Sequence, residues 1–292
     1  MNDPKQTTNL ALWTPADGAA RIALAPAVPR FPNLALETAG APLWMSLYAG
    51  AMGWKMLGHY PQNINVVYAF HDDLTYSALP SGTLLLLPHS GLALSNSNGG
   101  SVGTTAPVFQ SEIGLLRGTT SGNAAGTAGL SMRFGVNAGV ICSDQSFAYV
   151  DVRVKLTQLW TSAQRFTFFV GMDIDSNNRF GMLYDGSQSD NWLAVNVNAG
   201  VSAGSVIDTG QAVVAGLQTR VSTWKLPGEL GSHFALGGAE VVGPGPLTTN
   251  FPTARIALNT TIVSSLGGTA KTADWDWVAG IFDYGGGREP SE

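Results

Sequence analysis

Between Phe147 and Val197 apolar and polar side chains alternate with a period of two through four successive segments, and this rhythm constrains the fold more than any other feature of the chain. From Ala148 the even positions are apolar (Ala148, Val150, Val152, Val154, Leu156), with Tyr149, Asp151, Arg153 and Lys155 between them. Successive side chains of a strand point to opposite faces, so this pattern is a strand buried on one side. Phe166, Phe168, Val170 and Met172 repeat the period, then Phe180, Met182 and Tyr184, then Leu193, Val195 and Val197, with polar turns between the segments. Strand, short turn, strand predicts an antiparallel meander. Its apolar face must be covered, and no amphipathic helix of comparable quality lies nearby, so a second sheet is the expected partner.

Composition narrows the class further. Charged residues make up 12% of the chain and glycine reaches 36, a profile suited to many short strands and tight turns. The net charge is −5, with no Lys/Arg cluster to neutralise a phosphate backbone, so nucleic acid is not an expected partner. Cys142, the only cysteine, follows Val140 and Ile141, which reads as a reduced buried thiol rather than a nucleophile. The N-terminus lacks the cationic start and apolar core of a signal peptide, and secretion by that route is not expected. Gly40 to Trp54 is uncharged but falls short of the roughly 20 residues needed to span a bilayer, so no membrane insertion is expected.

Taken in order, the chain opens with a proline-punctuated stretch to about residue 37 that reads as an extended arm or as a covering segment of its own domain. Leu43, Trp44, Leu47, Tyr48, Ala51 and Trp54 fit one helical stripe, which Gly50 and Gly53 weaken. Trp44, Tyr48 and Trp54 are the candidate assembly residues. Short strands are expected near Asn65 to Tyr68 and Thr83 to Leu87, making residues 1–94 a smaller, mainly β domain. The polar, Gly-rich run 95–107 reads as a linker, 108–284 as an antiparallel sandwich, and 285–292 as a flexible tail.

The order of features from Val108 to Tyr284 resembles the concanavalin A-like (lectin/glucanase) jelly-roll domains of tailed-bacteriophage virion proteins. The resemblance is carried by Val150 to Leu156, Arg165 to Asp173, Arg179 to Asp185 followed by Asn191 and Trp192, the Asp208 turn, Thr219 to Ser222, the His233 to Val242 hairpin, Asn250 to Pro252 and the closing run Asp274 to Val278. Where such domains often carry an Asn-Gly turn this chain has Gly237 and Gly238, which meet the same demand for positive φ. The resemblance implies an all-β jelly-roll, a virion location, contacts with other capsid or tail proteins, and a homotrimer.

Hydrolases of that superfamily present Glu-x-Asp-x-x-Glu along one strand, and no glutamate of this chain makes that spacing. Asp173 and Asp175 share a strand face without a glutamate partner nearby, which disfavours a glycosidase and makes a non-enzyme the expectation. Asp173, Asp175 and Asn177 also open like a calcium loop, but Asn178 and Tyr184 stand where Gly and Glu are needed, so a capped turn is expected and no metal. His71, Asp72 and Asp73 read as a solvated turn before Leu74. Trp275 and Trp277, two apart, are assigned to one strand face as core or subunit contact. No cofactor is called for.

The remaining candidate is the loop holding Tyr184, Asp185, Gln188, Asp190, Asn191 and Trp192, because sugars are held by aromatic stacking and by planar amides and carboxylates. The competing reading buries Trp192 at a strand start and leaves the polar residues to solvate the turn. The function expected is a projecting fibre or adhesin-type virion component touching host-surface polysaccharide. A capsid decoration or head-fibre role is the alternative, and a polysaccharide-degrading enzyme a distant third.

Overall fold

The computed structural model describes residues 12–13, 33–36, 43–48, 54–60, 67–76, 79, 87, 92–106, 114–122, 125–131, 140–141, 147–226, 229–243 and 245–283. The chain divides into two compact units, Met1–Val66 with Pro290–Glu292, and Val67–Glu289. In the first, β1 (Leu12–Trp13), β2 (Asn33–Leu36), β3 (Leu43–Tyr48) and β4 (Trp54–Tyr60) form one sheet in that order, parallel between β1 and β2 and antiparallel thereafter. The stretch that fits a helical stripe is therefore extended, with Tyr48 opposite Trp54. The side chains of Trp44, Tyr48 and Trp54 lie outside the described residues, and so does Cys142.

The second unit is an all-β sandwich of jelly-roll type, with no helix among the described residues. Its strands are β5 (Val67–Asp72), β6 (Ala93–Ser97), β7 (Ser101–Thr105), β8 (Leu115–Thr119), β9 (Thr127–Ser131), β10 (Val140–Ile141), β11 (Phe147–Leu156), β12 (Arg165–Asp175), β13 (Asn178–Asp185), β14 (Asn191–Val197), β15 (Val206–Ala212), β16 (Gln218–Lys225), β17 (His233–Leu236), β18 (Ala239–Glu240), β19 (Arg255–Leu266) and β20 (Thr272–Asp283). One sheet runs β15-β14-β13-β12-β19-β9-β6 with β10 on β19, the other β18-β17-β16-β11-β20-β8-β7 with β5 on β20. We call them the first and second sheets.

Period-two patterning explains the core. Phe166, Phe168, Val170, Met172, Phe180, Met182, Tyr184 and Trp192 of the first sheet meet Val150, Val152, Val154, Val221, Phe234, Trp275 and Val278 of the second in one buried cluster. Each such side chain contributes about 1.5–3 kcal/mol on burial. Trp275 bridges the layers, its Nε1–H donating to Thr260 Oγ1 at 2.8 Å.

Three expectations are corrected. The 95–107 run is no linker, because β6 and β7 occupy it and the division falls at Val67. Both are the last strands of their sheets and only partly buried, so their Ser, Asn, Thr and Gly content resembles that of a connector. Trp275 and Trp277 lie on opposite faces: a register shift beside Arg153 and Val154 bulges β20 at Asp276, leaving Trp275 fully buried and Trp277 half-buried outside. Asp72 is not solvated but buried, accepting from the Leu74 N–H at 2.9 Å and the Tyr76 hydroxyl at 2.5 Å. Two turns follow expectation: Asp175 accepts from the Asn177 N–H at 2.8 Å, and Gly237 and Gly238 take φ of 60° and 91°.

Candidate functional site

The loop from Tyr184 to Trp192 uses its polar groups on itself. Tyr184 and Trp192 are 1% and 2% exposed, facing Phe166 and Phe168, because their positions on β13 and β14 share the parity of the core residues. Neither ring offers a face to a ligand, so of the two readings the one that buries Trp192 at a strand start holds and the stacking role does not. The Tyr184 hydroxyl accepts the Trp160 N–H at 3.1 Å. Asp185 accepts from the Ser187 N–H and hydroxyl and from Gln188 Nε2 at 2.7 Å, a self-capped turn. Asn191 Nδ2 donates to Asp208 at 2.8 Å, and the Asp190 carbonyl accepts from Val213. Donors from Ser189, Gly210 and Asn191 hold the Asp208 carboxyl below its usual range. Asp190 and Gln188 stay exposed.

The chemistry left open lies instead on the outer face of the first sheet. Register places three rows across β19, β12, β13 and β14: Thr261, Phe169, Leu183 and Leu193; then Asn259, Gly171, Gly181 and Val195; then Ala257, Asp173, Arg179 and Val197. Phe169, Leu183, Leu193 and Val195 form a buried cluster separate from the main core. The paired glycines leave room for the Phe169 ring, whose Cζ lies 2.9 and 2.8 Å from where their Cβ atoms would stand. Above that ring sits the Arg179 guanidinium, 5.3 Å from its centroid. Burial pulls Arg179 below the usual arginine range, opposed by the charges of Asp173, Asp185 and Asp175.

Asp173 is the hinge of this group. It pairs with Arg179 across the β12/β13 ladder and accepts a hydrogen bond from Asn259 Nδ2 at 2.7 Å on the β19 side. Asn259 is 8% exposed, and its Oδ1 has no hydrogen-bond partner; nor has Arg179 Nε, which is also buried. Of the other buried side-chain atoms without a partner among the described residues, Thr223 Oγ1 and Ser264 Oγ are hydroxyls of inner-face positions. The Arg179 and Asn259 atoms, among the described residues an unmet donor on β13 and an unmet acceptor on β19, belong to the strands on either side of β12 and Asp173. Native proteins leave few buried polar atoms unmet, and those that remain mark places where water or a ligand belongs.

Sequence reasoning singles out Asp173 and Asp175 and passes over Arg179 and Asn259. Asp175 caps its own turn and is exposed, so the structure gives the two aspartates different jobs. The signal for Asn259 is a lone amide on the outer parity of β19, which pairs with β12 from far along the chain.

The outer face of the second sheet is richer in charge but closed. Asp151 accepts from Tyr149 Oη at 2.7 Å, Arg220 Nε at 2.9 Å and Ser222 Oγ at 2.9 Å. Arg117 forks onto Asp274 at 2.6 and 2.8 Å, Lys155 reaches the same carboxylate at 3.6 Å, and Arg153 meets Asp276 at 2.9 Å. Trp277 lies against Arg220 and His71, and Trp224 stacks on His233, which bonds Glu229 at 2.8 Å. Burial, then Asp151, pushes the Tyr149 phenol well above its ordinary range, so it is a poor base.

No protein-family model matches the chain, and no curated protein matches its sequence. Solved structures do. A protein of unknown function from Shewanella oneidensis MR-1 aligns at 13% identity over 76% of this chain and 89% of that one, with a TM-score of 0.55. An endo-beta-1,4-glucuronan lyase from the fungus Trichoderma reesei aligns at 13% identity over 72% and 94%, TM-score 0.46, and the carbohydrate recognition domain of Emp47p at 10% over 73% and 94%, TM-score 0.42. At 13% identity the likeness to the Shewanella protein is one of fold alone, that of an antiparallel jelly-roll sandwich.

Proposed function

We propose that the sandwich binds glycans, and that Arg179 and Asn259 on the outer face of the first sheet receive sugar hydroxyls, with Asp173 positioning Asn259. The observation that carries this reading is the unmet pair beside Asp173, Arg179 Nε as donor and Asn259 Oδ1 as acceptor. A hydroxyl both accepts and donates, so one such group answers either atom. The sequence resemblance supplies the setting: a projecting adhesin-type component of a phage virion, homotrimeric, with the first unit contacting capsid or tail proteins. The proposed role is binding rather than glycoside hydrolysis, for which the chain carries no Glu-x-Asp-x-x-Glu run.

The test is binding of the full chain to immobilised bacterial-surface polysaccharides by surface plasmon resonance. Arg179→Met, which keeps the stem over Phe169, should cut affinity at least tenfold while the melting temperature moves little. Failure to bind any polysaccharide, or binding that ignores both Arg179→Met and Asn259→Leu, sinks the glycan site and leaves the decoration role in its place.

A further inference from the structure

The Asn259 amide cannot turn over. Its Nδ2 donates to Asp173 Oδ2 at 2.7 Å, and an ionised carboxylate only accepts, so the reverse orientation would set Oδ1 against a carboxylate oxygen. Asp173 thereby fixes which end of the amide is left over, and the end left over is an acceptor.

From this lock we infer that the site selects uncharged sugars over uronic or sulfated ones, with Asp173 as the positioning residue that sets the choice through Asn259. The inference rests on the glycan-binding reading above. One sugar hydroxyl donates to Asn259 Oδ1, and another accepts from Arg179 Nε. A carboxylate or sulfate satisfies the arginine, but it carries no proton for Asn259. Asp185 and Asp175 also act on Arg179, so the guanidinium is no uncommitted cation awaiting an acid. An unanswered buried acceptor weakens binding by roughly ten- to a hundredfold, which is the selectivity expected.

The experiment uses the full chain and matched oligosaccharide pairs that differ at C6: β-1,4-glucan with β-1,4-glucuronan, galactan with galacturonan, mannan with mannuronan. Titration calorimetry on whichever backbone binds should show the neutral member at least tenfold tighter. Asp173→Asn gives Asn259 Oδ1 a donor and frees the amide to turn its NH2 toward the ligand, so neutral affinity should fall, uronate affinity rise, and the ratio shift at least tenfold. Should Asp173→Asn misfold by near-UV circular dichroism, Asn259→Ser replaces it: a freely rotating hydroxyl donates as well as accepts, so the neutral-to-uronate affinity ratio should fall at least tenfold whatever the change in absolute affinity. A wild-type chain that binds the uronate member equally or better overturns the inference, as does a folded variant with an unchanged ratio; both leave glycan binding intact. Absence of binding to every pair removes the parent reading and this one together.

Discussion

The two outer faces of the sandwich carry similar groups and arrange them differently. On the second sheet each described Arg meets a carboxylate: Arg220 with Asp151, Arg117 with Asp274, Arg153 with Asp276. On the first, Arg179 lies over a phenyl ring with its Nε unanswered, and the amide that grips Asp173 keeps a bare oxygen. Charge that is fully answered holds strands in register, while charge left partly unanswered in a buried place implies a missing partner. Richness in aromatic and charged residues is thus a weaker pointer to a binding face than the accounting of hydrogen bonds, and the more ornate face is the scaffold.

The largest effect that would break this comparison is at Asp151, which is 3% exposed and holds Tyr149, Arg220 and Ser222. Asp151→Ala should destabilise by about 3–5 kcal/mol, because it strands a half-buried cation. Asp173→Asn should cost under about 1 kcal/mol, as a neutral hydrogen bond can replace the one lost. Equal losses in urea titrations of the two variants would abolish the distinction between the faces.

Next in size is Gly181→Ala. Its Cβ would lie 2.3 Å from the Val170 carbonyl oxygen and 2.8 Å from Phe169 Cζ, so backbone and ring must both shift. A loss of about 1–3 kcal/mol is expected, together with weakened ligand binding, since Arg179 rides on that ring. Stability lost with binding intact would detach the ring from the site.

The smallest effect concerns alkali. Burial and Asp151 raise the Tyr149 phenol in the folded state above the unfolded value near 10. The neutral phenol therefore contributes stability that is fully present below about pH 10 and is lost as pH climbs toward the folded value. Thermal melts from pH 9 upward should decline less steeply for Tyr149→Phe than for wild type, and identical slopes would deny the coupling.

Much of the fold was legible because the apolar parity of β11, β12 and β13 enters the main core and can be read locally. By contrast β14 is buried on both parities, and it is Trp192 and Ala194 that enter the core, while Leu193 and Val195, read as its core side, join the outer cluster. The bulge at Asp276 was not legible, since it depends on how Arg153 and Val154 meet β20 rather than on the sequence around it. Edge strands β6 and β7 escaped because little of them is buried, so nothing distinguishes Ser, Asn and Thr in a ladder from the same residues in a connector. The site was legible only in half. Asp173 stands out by type, but the atoms that make it informative belong to Arg179 and to Asn259, whose strand joins from late in the chain. Tyr184 and Trp192 were misassigned for the converse reason: aromatic rings beside a polar loop look available until strand parity assigns them to the core.

The order of strands bears on how the protein comes into being. β19 lies between β12 and β9, and β20 between β11 and β8, so the middle of each sheet is supplied by strands that leave the ribosome after the strands they join. Until they arrive, β5, for which the only ladder described is with β20, has nothing to pair with, and the apolar faces of β11 and β12 have no lasting neighbour on that side. Folding by long-range closure of this kind is slow and leaves hydrophobic strands open to the wrong partners during synthesis. A chain halted before Arg255 lacks the central strand of each sheet and should therefore fail to accumulate as a folded fragment.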